Sequence, residues 1–277
     1  MKKIIVAFDG LKFSDNSLQY ALMLAKSMPA HVVGISLESM LYNSLAPYEI
    51  LHQYTGNDEA DRVIQADTAC RDAAIDYFES ACRNEGVTCT VHRDQRFAMD
   101  DLLRESVYAD LLVIDSRETM SVEKENPPTG FIRQLLTEVQ CPVFLVNEQF
   151  VDVDKVIMLF DGSPSSVHAI KMFNYTVPAL NLLPLEILTV NATHTGNHTP
   201  DSHLMKEFMK RHHPNARYTV LQGHVEETIL DYLKTQPFNT LIVMGAQQHG
   251  GLYRLFHNQL CNTLIRQVKC PLFLSHC

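Results

Sequence analysis

The stretch KIIVAFDG at residues 3–10 recurs almost unchanged as KVIMLFDG at residues 155–162. Each copy is an apolar run of strand length that ends in Asp-Gly, a pair typical of tight turns. Serines suited to cap a helix follow in both copies, Ser14 in the first and Ser163 in the second, and apolar residues at helical spacing come after them. A strand, a turn and a helix are therefore predicted twice.

The far ends of the two halves also match. IRQLL at 132–136 leads to CPVFL at 141–145, and LIRQV at 264–268 leads to CPLFL at 270–274. Because the beginning and the end both recur in the same order, the chain is interpreted as two copies of one domain. A length of 277 residues suits two domains better than one. The predicted domains are residues 1–150 and 151–277.

Between these repeated ends, short apolar runs alternate with helical patterns. The first half has predicted strands at 32–35, 87–91 and 111–115 and helices at 58–84 and 98–108; the second has strands at 185–190, 218–221 and 241–245 and helices at 202–212 and 225–234. Apolar runs without polar alternation, separated by helices, are typical of parallel strands covered on both faces. The predicted fold is α/β, with two tandem Rossmann-like domains, each a five-stranded parallel sheet with helices on both faces.

Composition excludes several classes of protein. With 46% hydrophobic and 20% charged residues, the chain is expected to fold throughout. A formal net charge of -9 disfavours a nonspecific nucleic-acid surface. The first apolar run reaches Asp9 too soon for a secretory signal or a membrane span. Seven cysteines without a CxxC pair argue against a disulfide framework and a zinc ribbon. We therefore expect a reduced cytoplasmic protein with no nucleic-acid or membrane partner.

The order of these features carries a family resemblance. A first strand ends in Asp-Gly, serines open the next helix, a fourth strand reads LIVMG at 241–245, and the last helix runs into Cys-Pro and a final apolar strand. In this combination the chain resembles a tandem universal stress protein, with both copies covering nearly its whole length.

The resemblance implies an ATP site in the second copy. Members of the family that bind ATP carry, after the fourth strand, a glycine, two residues, a second glycine, nine residues, a third glycine and then Ser or Thr. Glycines let backbone amides approach phosphate oxygens, and the following helix offers its positive end. In the second copy Gly245 occupies the first position, whereas Gln248, Asn258 and Gln259 occupy the others. One of the four positions therefore matches.

Several neighbours of this loop still suit an anion. Asn tolerates the left-handed backbone better than other non-glycine residues, which favours Asn258. Gly250 and Gly251 supply glycine a few positions away, and a group of cationic or polar residues surrounds them: His249, Arg254 and His257.

If the second site binds ATP, the resemblance implies a pocket for adenine at Asp161 and Val190, with Gly162 and Ser163 beside it. The phosphates would then lie over four residues: Gly245, Gly251, Asn258 and Gln259. The alternative is a degenerate site, in which these residues shape a surface loop and Asp-Gly only forms the turn out of the strand.

The first copy departs further from the ATP-binding pattern. Asp115 replaces the first glycine, Glu118 falls where the second would stand, and Thr129-Gly130 occupy the end of the motif. Carboxylates repel phosphate groups. The first copy is therefore predicted to have a degenerate loop that does not bind ATP.

Other chemistry has little support in the sequence. The chain has no GxGxxG, Gly-Lys-Ser/Thr P-loop, HExxH or GxSxG motif, so no catalytic residues and no enzymatic activity are predicted. Five histidines crowd the second copy at positions 194, 198, 203, 212 and 213. Without cysteines or an acidic partner pattern they are interpreted as surface groups rather than metal ligands. The sequence does not decide whether segment 41–57 is a lid or an interface.

The leading functional hypothesis is a non-enzymatic stress-response module. Its two copies would pack as an internal pseudo-dimer through their final strands, which would also cover the strand edges. Its output would be binding to protein partners that the sequence does not identify, tuned by an adenine nucleotide in the second copy. The alternative is an ATP-binding switch or weak ATPase in the second copy, and metal buffering by the histidines is a third reading.

Overall fold

The computed structural model describes residues 2–37, 58–94, 98–121, 124–147, 149–192, 198–246 and 251–276, and for residues 58–60, 94 and 251–258 it describes the backbone alone. The chain divides into two compact units, Met1–Leu135 and Leu136–Cys277. The division falls inside a helix, Gly130–Glu138. The boundary after residue 150 stays a prediction about where the two repeats join.

The first unit is an α/β layer with a parallel sheet. Its elements are β1 (Lys2–Phe8), α1 (Asp15–Ser27), β2 (Ala30–Leu37), α2 (Asp58–Asn84), β3 (Cys89–Asp94), α3 (Ala98–Ser106), β4 (Leu111–Asp115) and the start of α4 (Gly130–Glu138). Its strand order is β3-β2-β1-β4, and the strand pairs of its described residues are all parallel. Both β1 from Ile4 onward and all of β4 are buried, as expected for strands covered on both faces.

The second unit repeats this arrangement. Its elements are β5 (Val143–Val146), β6 (Lys155–Leu159), α5 (Pro164–Thr176), a 3-10 helix (Pro178–Leu182), β7 (Leu185–Asn191), α6 (Ser202–His212), β8 (Arg217–Gln222), α7 (Val225–Lys234), β9 (Thr240–Ala246), α8 (Gly251–Gln267) and β10 (Leu272–His276). The strand order is β5-β10-β9-β6-β7-β8. The run β8-β7-β6-β9 has the same connectivity as β3-β2-β1-β4, and the predicted α/β class with mostly parallel sheets is confirmed.

Strand β5 belongs to the second unit, although the sequence places it at the end of the first repeat. It pairs antiparallel with β10, with Phe144 opposite Phe273. Just beyond β5, the side-chain amide of Asn147 donates to the carbonyls of Val268 and Cys270, both at 3.1 Å. Strand β5 thus lies within the second compact unit, Leu136–Cys277.

The long helix α2 is part of the core of the first unit. Its buried residues recur at helical spacing: Asp67, Arg71, Ala74, Phe78 and Cys82. The ring of Phe78 stacks on Phe8, with centroids 5.6 Å apart. Nearer the start of the helix, the thiol of Cys70 donates to the carbonyl of Gly10 at 3.4 Å. Helix α2 therefore covers the carboxyl end of β1, whereas segment 41–57 lies outside the described residues.

Most predicted elements agree with the structure, and strand β3 shows why small differences arise. The sequence predicts a strand at 87–91, but β3 begins at Cys89. Gly86 adopts a left-handed backbone (φ 68°) and the amide of Val87 donates to the carbonyl of Cys82 at 2.9 Å. Residues 85–88 therefore close helix α2 before the strand can start.

Candidate functional site

A cavity of about 600 Å³ opens at the carboxyl ends of strands β6, β7 and β9 in the second unit. Open parallel sheets bind ligands at this end of their strands. Three of the predicted site residues, Asp161, Val190 and Gly245, line this one cavity. The structure thus brings together side chains that lie far apart in the sequence.

The walls of the cavity are mainly apolar. Strands and helices contribute Leu159, Phe160, Leu188, Val190, Ala192, Val225, Ile229, Met244 and Leu260. Polar groups come from Asp161, Ser166, His224 and Glu226, beside Gly223 and Gly245. An apolar cavity with a few polar groups is the usual form of a small-molecule site.

Asp161 forms a turn as well as lining the cavity. One oxygen of its carboxylate accepts a hydrogen bond from the amide of Ser163 at 2.9 Å. Gly162 has a left-handed backbone (φ 83°), and an added Cβ would lie 2.6 Å from Pro200. Ser163 then caps helix α5 by accepting from the amide of Ser166 at 3.2 Å. Gly162 and Ser163 are therefore required by the turn and the cap, and neither lines the cavity.

Gly245 is required by packing between strand and helix. A Cβ at this position would lie 2.5 Å from the hydroxyl oxygen of Ser165 and 2.6 Å from its carbonyl carbon. Only glycine lets β9 approach the first turn of α5 this closely. Close packing thus explains the glycine that the sequence assigned to phosphate binding.

The remaining predicted phosphate residues lie on helix α8 or just before it. Gly251 is the first residue of α8 and Asn258 lies within it; the side chain of Asn258 is not described. Gln259 is exposed and does not line the cavity. Gln248, His249 and Gly250 lie outside the described residues, as do the side chains of Arg254 and His257.

The first turn of helix α7 supplies site residues that the sequence reasoning missed. Gly223 has a φ of 141° and its amide donates to the carbonyl of Asn191 at 3.2 Å, which places the start of α7 beside the end of β7. His224 and Glu226 then line the cavity, and an oxygen of Glu226 accepts from the hydroxyl of Thr263 at 2.8 Å. The sequence contains a signal for these residues, namely Gly223 followed by a helix with acidic residues in its first turn. A glycine before such a helix start is typical of the carboxyl end of a strand.

The corresponding place in the first unit is filled by charged side chains. Asp115, at the end of β4, pairs with the guanidinium group of Arg117 through two hydrogen bonds of 2.9 and 2.7 Å. The hydroxyl of Ser14 donates to the same carboxylate at 2.8 Å. This arrangement places an ion pair where the sequence pattern of ATP-binding members has glycine.

Glu118 is a second carboxylate in this part of the first unit. Its side chain is buried, and the amides of Thr119 and Met120 donate to it at 3.0 and 3.1 Å. Burial, together with the nearby charges of Asp9 and Asp115, raises the pKa of Glu118 to about 7, although the two amide hydrogen bonds act to lower it. Three carboxyl groups thus lie close together, and one of them, Asp115, is paired with the guanidinium group of Arg117.

The interpretation of the five crowded histidines as surface groups is wrong for His213 and correct for His198 and His203. His213 is buried and its ring hydrogen-bonds to the side-chain oxygen of Asn174 at 2.6 Å, and burial lowers its pKa. The ring of His212 packs against Phe208 with centroids 4.7 Å apart. His198 and His203 are exposed, and His194 lies outside the described residues.

The described parts of the chain contain neither a metal-binding cluster nor a membrane-spanning helix. No group of three or more His, Cys, Asp or Glu residues in these parts is arranged to hold a metal ion. No helix in them combines the length and the apolar character needed to cross a membrane.

Comparison with known proteins relates this chain to one family. The family model described as the universal stress protein family matches residues 153–276. A curated universal stress protein of Synechocystis sp. is 21% identical over 298 aligned positions, which cover 98% of each chain.

Solved structures share the fold over the whole length. The crystal structure of a universal stress protein from Archaeoglobus fulgidus is 16% identical and covers 99% of this chain and 98% of its own, with a TM-score of 0.65. A functionally unknown protein from Pseudomonas aeruginosa PAO1 is 12% identical, covers 99% and 92%, and has a TM-score of 0.64. At these identities the likeness concerns the fold alone.

Proposed function

Because residues 153–276 belong to the universal stress protein family, we propose that this chain is a non-enzymatic stress-response module whose second unit binds an adenine-containing small molecule. The bound molecule would tune the affinity of the chain for other proteins. Packing of the two copies as an internal pseudo-dimer and a cytoplasmic location are parts of the same proposal that come from the sequence.

The proposal rests on the cavity in the second unit. Its volume of about 600 Å³ lies within the usual range of small-molecule sites, roughly 300 to 1,000 Å³. Its apolar walls suit the faces of a planar ring. The carboxylate of Asp161 at its edge suits an N–H or O–H donor of the ligand. Adenine is proposed because the resemblance to ATP-binding members of the family implies an adenine pocket at Asp161 and Val190. Both residues line this cavity.

The experiment is calorimetric titration of the purified full chain with adenosine, AMP and ATP with magnesium. Saturable binding to at least one of the three is expected, and Val190→Phe, which fills the cavity, should abolish it. Lys234→Ala, an exposed change at the far end of α7, serves as the control and should leave binding unchanged. Absence of heat with all three ligands at millimolar concentration would overturn the proposed function.

A separate measurement addresses catalysis. Phosphate release from ATP by the full chain should not exceed the rate in buffer, because the proposal assigns no residue to activate water. Turnover that Val190→Phe abolishes would instead support the ATPase alternative.

A further inference from the structure

The thiols of Cys82 and Cys89 hydrogen-bond to each other where helix α2 ends and strand β3 begins. Both cysteines are free. We propose that this pair is a redox-sensitive site, at which a hydroperoxide oxidises the two thiols to a reversible disulfide. The site lies in the first unit and goes beyond the proposed function, because it neither uses the cavity of the second unit nor depends on a bound nucleotide.

The backbone holds both cysteines in place. The carbonyl of Cys82 accepts from the amide of Val87 at 2.9 Å, across a turn in which Gly86 has a left-handed backbone (φ 68°). Cys89 is paired with Val32 in the parallel register of β2 and β3. A disulfide needs Cβ atoms roughly 3.5 to 4.5 Å apart and a sulfur–sulfur bond of about 2.05 Å. Because the two side chains already meet from fixed backbone positions, the bond calls for their rotation and not for movement of either element.

The two thiols differ in their access to solvent, and this difference sets the order of reaction. Cys82 is fully buried, whereas Cys89 is partly exposed. Burial raises the pKa of Cys82 to about 12, and the neighbouring Cys89 and the carboxylate of Glu79 act in the same direction, although a backbone hydrogen bond acts to lower it. Because the thiolate is the nucleophile, Cys89 reacts first with the hydroperoxide, and Cys82 then reacts with the oxidised Cys89.

The reaction takes place in two steps. The thiolate of Cys89 attacks one oxygen of the hydroperoxide, the O–O bond breaks, and Cys89 becomes a sulfenic acid while hydroxide or alkoxide leaves. The sulfur of Cys82 then attacks the sulfur of the sulfenic acid, and the thiol proton of Cys82 leaves with the hydroxyl group as water. The two thiols are oxidised and the hydroperoxide is reduced. In a reducing compartment such a bond is transient, because thiol reductants open it again.

Cys70 offers a comparison on the same helix. It is exposed, and its thiol donates to the carbonyl of Gly10 at 3.4 Å. Cys70 and Cys82 are 12 residues apart (82 minus 70), which is about 18 Å along an α-helix. Cys70 is therefore more accessible than Cys89 but lies out of reach of Cys82, so an experiment can separate the effect of exposure from that of proximity.

The test treats the reduced full chain with hydrogen peroxide, blocks the remaining thiols and maps the tryptic peptides by mass spectrometry without reduction. Trypsin cuts after Arg83, so Cys82 and Cys89 lie on separate peptides, 72–83 and 84–93, each with a single cysteine. We expect these two peptides to be joined by a disulfide and to separate again after treatment with dithiothreitol.

The yields decide between proximity and general oxidation. The link between Cys82 and Cys89 should be at least about tenfold more abundant than any link to Cys70, because only thiols held together have a high effective concentration. Cys70→Ala should leave that link in place. Peptides 72–83 and 84–93 that stay unlinked after peroxide treatment, or equally abundant links to Cys70, would overturn the proposal.

Two variants test the order of reaction. Cys82→Ala places a small apolar residue at the buried position, so Cys89 should accumulate as a sulfenic acid that dimedone traps and should then proceed to sulfinic acid. In Cys89→Ala, Cys82 should remain unlabelled. Labelling of Cys82 as strong as that of Cys89 would overturn the assigned order. Urea denaturation checks that both variants fold, and the peptide map of the wild type decides the proposal if either does not.

Discussion

Single glycines and carboxylates distinguish the two units at corresponding positions. Gly245 lies against the first turn of α5, and Asp115, the residue in the corresponding place of the first unit, pairs with Arg117. The same point of the fold therefore holds a close backbone contact in one unit and an ion pair in the other. The consequences for stability can be measured at individual residues.

Gly245→Ala should destabilise the second unit. The new methyl group would lie 2.5 to 2.6 Å from Ser165, and the contact is with backbone as well as side-chain atoms. Overpacking of this kind costs about 1 to 3 kcal/mol in the free energy of unfolding, measured by urea denaturation. Gly130→Ala is the control, since its added Cβ would meet nothing closer than 3.5 Å. Equal stability of the two variants would contradict this reading of Gly245.

Glu118→Gln should stabilise the protein at high pH. The folded pKa of Glu118, about 7, lies above its ordinary value of 4.5. Its contribution to stability is therefore complete below pH 4.5 and is lost as the pH rises through 7. The variant should gain about 3 kcal/mol over the wild type at pH 8 and almost nothing at pH 4.5.

Thermal unfolding at the two pH values measures this effect of Glu118→Gln. Glu207→Gln, which removes an exposed carboxylate, should show no such dependence on pH. A stabilisation of the Glu118 variant that is equal at both pH values would mean that its carboxyl group does not titrate in this range.

At the scale of elements, the buried residues of helix α2 recur at helical spacing and form the face that packs on the sheet. Its buried stripe passes over β1 and β2, where an added Cβ at Gly34 would lie 3.0 Å from the ring of Phe78. The helical pattern at 58–84 predicted this helix with both ends correct. The element that it covers was not predictable, because periodicity gives the buried face of a helix but not its neighbour.

Phe78→Ala should cost about 3 to 5 kcal/mol, because it removes a fully buried ring from contact with Phe8. Tyr77→Ala, one residue earlier, is the control. Tyr77 is half exposed and contacts Phe13 and the carboxylate of Asp15, so its loss should cost about 1 kcal/mol. Urea denaturation measures both, and similar costs for the two variants would contradict the packing described for α2.

At the scale of the whole molecule, the net charge acts on every charged ligand. The formal net charge of -9 makes the chain as a whole repel anions. Raising the salt concentration screens this repulsion over distances of roughly 10 Å at 0.1 M and 3 Å at 1 M. Calorimetry at low and high salt should therefore show ATP gaining affinity relative to adenosine. A ratio that does not change with salt would argue against this repulsion.

Part of the candidate site was predictable from the repeat. The rule that ligands bind at the carboxyl ends of parallel strands predicted Asp161, and the family resemblance implied Val190 and Gly245; all three line the cavity. Neither led to His224 and Glu226, although the strand before them was predicted at 218–221, because the family pattern concerns the loop after the fourth strand. Gly162 and Ser163 were assigned to the ligand, but the turn and the helix cap account for them.

The sequence by itself determined the repeat, the α/β class and most of the helices and strands, because these depend on turn residues and on apolar periodicity within a few residues. Only the tertiary structure decided which side chains meet. Glu186, inside the buried strand β7, accepts hydrogen bonds from Lys155 on β6 at 2.8 Å and Tyr232 on α7 at 2.5 Å. Such contacts, like those that form the cavity, join residues that are distant in the chain. No local sequence pattern predicts them, because a local pattern depends only on neighbouring residues.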